Sequence, residues 1–242
     1  MQKFFNTAGP VNPEDHYVID PLKRIDLVDV LNLIDQQKYF VLHAPRQTGK
    51  TSTLLALREK LNAEDKYHAL YMNVECAQGY RENVDSALEA IRCELVMRVN
   101  EAGLLSNWRL SETNLNYCLS ELVSKLKRPL VLFIDEIDSL VGDSLITVLR
   151  QIRSGYDKRP KHFPQSIILC GVRDVRDYRI ADDTGKAMIT GGSAFNIKSE
   201  SLRVGNLIES EVYELLEEHT KATGQMFEAS AKEKVWELTQ GQ

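Results

Sequence analysis

Apolar residues run along this chain in two alternating rhythms. Short unbroken apolar runs occur at 38–44 (KYFVLHA), 68–75 (HALYMNVE), 129–136 (PLVLFIDE) and 166–172 (SIILCGV). Their length and β-branched content are those of buried strands. Longer stretches between them follow a helical period. Ile25, Val28, Leu31 and Ile34 lie three residues apart and predict a helix over 25–36 with one apolar face. Further helices are predicted at 50–62, 81–102, 111–127, 139–153, 208–223 and 228–240. NIKSESLRV at 196–204 reads as a last strand. Gly185, Gly191 and Gly192 break 173–196, which reads as irregular. Residues 1–23 carry Pro10, Pro13 and Pro21 with little periodicity and read as an extended lead-in.

Strands alternating with helices predict an α/β fold, a parallel sheet covered on both faces. The last two helices have no strand between them and predict the start of a small helical lid. A length of 242 residues is enough for one large domain with an appendage. With 43% hydrophobic residues, a core forms without disulfides or metals.

The net charge of −5 disfavours general affinity for nucleic acid. One region departs from it: Arg150, Arg153, Lys158, Arg159, Lys161, Arg173, Arg176 and Arg179 fall within thirty residues. A solvated face explains such a run more simply than a DNA contact. Cys76, Cys93, Cys118 and Cys170 have no ligand-type spacing and read as reduced, mostly buried thiols. The N-terminus lacks the apolar core of a secretion signal, and no apolar run is long enough to span a bilayer. These features predict a cytoplasmic protein without a membrane partner.

The most specific signal is APRQTGKT, Ala44–Thr51, between a predicted strand and a predicted helix. It matches the P-loop pattern GxxxxGK[ST] apart from its first glycine. Ala44, Pro45, Arg46, Gln47, Thr48, Gly49, Lys50, Thr51 and Ser52 are the expected phosphate-binding segment. Loop N–H groups and the helix dipole favour phosphate there. Lys50 would place a cation between the β- and γ-phosphates, and Thr51 would offer its hydroxyl to Mg2+. If the first position requires positive φ, Ala44 costs about 1 kcal/mol there. The second signal is LVLFIDEID, which ends a buried strand on Asp135 and Glu136. Ligands bind at that edge of open α/β sheets. Asp135 would hold the metal, and Glu136 would orient and deprotonate an attacking water. No guanine-reading NKxD motif is present, which favours ATP.

These residues resemble the AAA+/STAND group of P-loop ATPases, and within it prokaryotic AAA-like ATPase domains. The resemblance rests on YFVLHAPRQTGKT at 39–51, FIDEID at 133–138, GVRDVRDY at 171–178, FNIKSESL at 195–202 and ELTQGQ at 237–242. It implies a three-layer P-loop NTPase sandwich with strand order 5-1-4-3-2. It divides the chain into a nucleotide-contacting lead-in (1–24), an ATPase core (25–205) and a helical lid (206–242). By the same likeness Asn73 would restrain the catalytic glutamate. Arg173 would sense the γ-phosphate. Arg150, Arg153 or Arg159 would act as an arginine finger for a neighbouring copy. Tyr17, Val18 and Ile19 would pack on adenine. STAND relatives carry a GxP motif in the lid, and this chain ends at Gly241-Gln242, one residue before that proline. A shortened chain is therefore expected. The implied activity is a slow, Mg2+-dependent ATP hydrolysis acting as a molecular switch. The alternatives are a DNA-handling ATPase and a scaffold that binds ATP without hydrolysing it.

Overall fold

The computed structural model describes residues 3–81, 83–110, 114–174, 179–181, 188–190 and 196–242. Of 179–181, 188–190 and 198 only the backbone is described. Five parallel strands form the main sheet: β1 (Tyr39–His43), β2 (His68–Asn73), β3 (Leu130–Asp135), β4 (Ser166–Gly171) and β7 (Lys198–Arg203). Their order is β2-β3-β4-β1-β7. Counted as five strands, this is 5-1-4-3-2, with β4 inserted between the P-loop strand and the acidic strand. Two short strands, β5 (Arg179–Ala181) and β6 (Met188–Thr190), pair antiparallel in a region where the sequence predicts no regular structure. At three residues each they are too short to show an alternation.

The helices are α1 (Leu27–Asp35), α2 (Lys50–Ala63), α3 (Val84–Glu101), α4 (Leu115–Lys125), α5 (Gly142–Arg153), α6 (Glu209–Thr223) and α7 (Ala229–Thr239). Several start later than the apolar pattern suggests, because side chains cap them. Asp26, Asn83 and Asn114 each accept an N–H from the first turn of α1, α3 and α4. The residues before α3 coil into a 3-10 helix, Val74–Tyr80, and those before α5 into another, Ile137–Ser139.

Strand alternation divides the core into two layers. In β3, Leu130, Leu132 and Ile134 pack with residues of α3, α4 and α5, while Val131 and Phe133 pack with residues of α1 and α2. Tyr71 of β2 and Cys170 of β4 share the α1–α2 layer. Both layers exclude water from β3, whose six residues are all buried. Continuing the alternation puts Asp135 on the α2 face, and this one-residue register positions the site described below. Two cysteines, Cys118 and Cys170, are buried as expected, whereas Cys76 and Cys93 are exposed. Among the described residues no helix is long and apolar enough to cross a membrane.

Among the described residues, the basic stretch is divided between internal partners and exposed positions. Lys158 donates to Asn116 Oδ1 at 3.0 Å. The Arg159 guanidinium stacks 3.3 Å over the Tyr156 ring and donates to the carbonyls of Tyr156 and Gln37. Arg150 and Arg153 end α5 on exposed positions, and Lys161 is exposed. Arg176 lies outside the described residues, and so does the side chain of Arg179. A helix that leaves the end of β3 must return to the start of β4, so Arg150, Arg153 and Arg159 sit toward the sheet edge opposite Lys50. Arg159→Ala is expected to lower stability by about 1–3 kcal/mol, from lost stacking and carbonyls left unpaired. Arg153→Ala should change it by less than about 0.5 kcal/mol. Urea denaturation of both variants decides this; equal midpoints would show that Arg159 is not structural.

Candidate functional site

The loop between β1 and α2 turns through two left-handed residues, Gln47 at φ 59° and Gly49 at φ 79°. Ala44 is not among the residues with positive φ, so the strain expected from replacing the first glycine does not arise. Instead Ala44 is buried and continues the sheet, its N–H donating to Gly171 O at 3.3 Å. Gly49 is required twice over: a Cβ there would be strained and would meet the Arg24 guanidinium at 2.7 Å. Pro45 O receives both Thr48 Oγ1 at 2.7 Å and Lys50 Nζ at 3.1 Å. This folds the lysine back across the loop and leaves it only 6% exposed.

Facing the loop, Asp135 is fully buried. Three neutral donors fill its carboxylate. Thr51 Oγ1 and Tyr71 Oη donate to Oδ2 at 2.7 and 3.0 Å, and the Glu136 N–H donates to Oδ1 at 2.9 Å. Tyr71 is a member the sequence reading missed. Its alternation with Asn73 on β2 is the signal that could have placed it, because Asn73 pairs in register with Asp135. Burial first, then the charge of Asp135, pushes the Tyr71 phenol and the Cys170 thiol upward. Both therefore stay neutral beside the carboxylate. The donor set of one hydroxyl and one carboxylate fits a hard divalent cation, and the Cys170 thiol beside it stays protonated. Among the described residues no group of three or more His, Cys, Asp or Glu side chains is placed to hold a metal ion by itself. A magnesium ion here would rely on Thr51, Asp135 and oxygens of its ligand.

Glu136 follows in the left-handed region at φ 57°, where the strand breaks into the 3-10 turn. Its carboxyl pKa is raised. Burial is the first cause and the charges of Asp135 and Asp138 come next, while Lys50 opposes them. Arg46, Lys50, Glu75, Glu136 and Asp138 line a cavity of about 370 Å3 beside the loop. Asp138 is itself tied down, accepting the Val172 N–H at 3.1 Å.

On the other side of the loop, Arg24 joins three segments. It donates to Thr48 O in the P-loop and through Nε to Gly205 O at 2.8 Å, beyond β7. Burial lowers its pKa and Glu211 on α6 opposes that shift. Sequence reading missed it because its partners are far along the chain. Tyr17, Val18, Ile19, Arg24, Gly49 and Leu207 are among the walls of an apolar cavity of about 160 Å3. The lead-in trio thus stands beside the phosphate loop. An adjoining cavity of about 220 Å3 reaches Gly241 and Gln242.

The remaining expected residues lie nearby. The Asn73 side chain accepts the Glu75 N–H at 2.8 Å, capping the turn after β2. Arg173 is exposed in the loop after β4, next to the Val172–Asp138 bond. Strand order and phosphate loop together define the P-loop nucleoside-triphosphatase fold, of the type with an inserted strand between the phosphate-loop strand and the acidic strand.

A family model described as "AAA domain" matches residues 34–178. That span is more than half of the chain, which therefore belongs to the AAA domain family. No curated protein matches the sequence significantly. Among solved structures, the Walker-type ATPase paby2304 of Pyrococcus abyssi matches with TM-score 0.61 at 15% identity, over 98% of this chain and 67% of that one. Cdc6p of Pyrobaculum aerophilum matches with TM-score 0.51 at 18% identity, over 81% of this chain and 48% of that one. Domain III of the Thermotoga maritima replication initiation protein DnaA matches with TM-score 0.50 at 16% identity, over 94% and 82%. The chain thus spans about half the length of the Cdc6p chain.

The raised carboxyl of Glu136 has a thermodynamic sign. An ordinary glutamate titrates near pH 4.3 in the unfolded chain. Between that value and the higher folded one, the folded state binds more protons, so this group's contribution to stability falls as pH rises. Glu136→Gln is therefore expected to melt higher than the parent at neutral pH, with the gap closing as pH falls. Thermal unfolding from about pH 4 to 8 measures it; a constant or reversed gap would refute the assignment.

Proposed function

We propose that this chain is a Mg2+-dependent ATP-binding and ATP-hydrolysing module acting as a nucleotide-controlled switch. The carrying observation is that Lys50, Thr51 and Glu136 line one cleft, with the buried Asp135 in direct hydrogen bond to Thr51 beneath it. In this reading Lys50 leaves Pro45 O to neutralise the β- and γ-phosphates, and the loop N–H groups hold their oxygens. Thr51 and Asp135 hold Mg2+, which supplies charge neutralisation on the phosphates when bound. Glu136 orients the water and accepts its proton, a role its raised pKa suits. Asn73 restrains the glutamate and Arg173 answers to the γ-phosphate. Arg150 or Arg153 serves a second copy.

The lid supports the switch. Helices α6 and α7 pack on each other and reach the cleft through Leu207 and Gly241, whose backbones bond at 2.9 Å. A nucleotide filling the cleft would touch both the core and this lid, and differential contact with ATP and ADP biases their arrangement. The DNA-handling alternative is left with the exposed Arg150, Arg153, Lys161 and Arg173, since Lys158 and Arg159 are engaged internally.

Phosphate release from Mg·ATP is the deciding measurement. The parent is expected to turn over slowly, and Lys50→Ala and Glu136→Gln to lose roughly a hundredfold or more. Glu136→Gln should retain ATP binding. A parent that binds ATP and releases nothing would replace the switch with the scaffold reading.

A further inference from the structure

We propose that residues 4–17 form a strap that closes over the phosphate end of the cleft and gates nucleotide exchange. The inference rests on the nucleotide reading above.

The segment is a closed loop. At its base the Phe4 N–H donates to Asp15 O at 3.0 Å and the Tyr17 N–H to Phe4 O at 3.1 Å. Inside it, Asn6 staples a turn: its Nδ2 donates to Gly9 O at 2.9 Å and its Oδ1 accepts the Ala8 N–H at 3.1 Å. A second turn is closed where Asn12 O accepts the His16 N–H at 2.8 Å and the His16 ring accepts the Asn12 N–H at 2.9 Å. A compact surface loop whose ends meet and whose own polar groups hold it is an Ω-loop, a form that keeps its shape while moving as a unit.

Two anchors tie this unit to opposite parts of the site. At the tip, the Val11 N–H donates to Ser52 Oγ at 3.1 Å, in the first turn of α2. That bond brings Gly9 and Pro10 over the P-loop, where with Lys50, Thr51 and Glu136 they line a cavity of about 150 Å3. At the base, Phe5 and Tyr17 pack against His219 of α6 with ring centroids 5.2 and 5.4 Å apart, and Tyr17 Oη lies 3.2 Å from His219 Nδ1. One loop therefore touches both the lid helix and the phosphate helix.

The anchors differ in strength. The base rests on aromatic packing, and Tyr17 is buried. The tip is held by one neutral hydrogen bond, with Gly9 and Pro10 exposed. The tip therefore opens first, as lids over binding sites do. Ser52 accepts from Val11 and keeps its own proton to donate, so the strap bond and a phosphate oxygen need not compete for the hydroxyl.

Stopped-flow binding and release of a fluorescent ATP analogue with Mg2+ tests this in the full chain. Val11→Pro removes the donated N–H; Asn6→Ala removes the staple without touching Ser52. Both variants are expected to raise the association and dissociation rates together, by about fivefold each, the worth of one neutral hydrogen bond. Kd should stay within about twofold, which is the signature of a gate. Unchanged rates overturn the strap. A faster dissociation matched by a higher Kd also overturns it, since the loop is then only a contact. If Val11→Pro does not fold, Asn6→Ala carries the test. A parent that fails to bind the analogue sinks the nucleotide reading and the strap with it, whereas a parent that binds with unaltered variant rates sinks the strap alone.

Discussion

A carboxylate removed from water must have its lone pairs filled, and in this protein the filling of Asp135 organises everything around the cleft. Its donors come from three elements: Thr51 on α2, Tyr71 on β2 and the backbone of Glu136 after β3. Each fixes a piece of geometry. The Thr51 bond sets α2, and with it the phosphate loop, against the end of β3. The Tyr71 bond locks the edge strand in register. The Glu136 bond turns the chain out of the strand, leaving the second carboxyl half-exposed beside Lys50. Replacing three neutral donors with a metal ion and its ligand requires only local change, because the rest is held by the two hydrophobic layers.

Left-handed backbone also occurs at the same place. Gln47, Gly49 and Glu136 all adopt positive φ, and only one of them is glycine. Left-handed residues outside glycine cost energy and persist where surrounding structure over-determines them. Around Gln47 and Glu136 that structure is the P-loop turn and the buried Asp135. The raised pKa of Glu136 is a second form of the same cost: a charge held partly dry, near two other acids. A carboxyl held this way is destabilising at neutral pH, which is the trade expected of a functional site.

The cleft is built from parts distant in sequence. Arg24 crosses from the lead-in to Thr48 and Gly205, so lead-in, P-loop and lid junction share one guanidinium. The loop before it continues this role, reaching Ser52 at one end and His219 at the other. A nucleotide in such a cleft would meet all of these segments at once.

How much of this was legible beforehand follows from the range of the forces involved. Continuous apolar runs reveal β1 to β4 because a strand buried on both faces must be apolar throughout, and β7 followed from a weaker pattern. GKT and the DE pair are legible because chemistry dictates residue type: a cation, a hydroxyl and two carboxylates at fixed places along the chain. Tyr71, Arg24 and the Val11–Ser52 bond were not legible. Their roles depend on which residues meet across 24 to 181 positions of sequence, as in Arg24–Thr48 and Arg24–Gly205, and no local pattern encodes that. The same holds for Arg159, whose composition suggested a surface cation but whose partners Gln37 and Tyr156 make it part of the scaffold. Sequence alone determined the elements and the reactive groups, since periodicity and side-chain chemistry are local properties. Tertiary structure alone decided which groups share the cleft and which charges are spent on packing, since burial and long-range hydrogen bonding exist only once the sheet has closed over its helices.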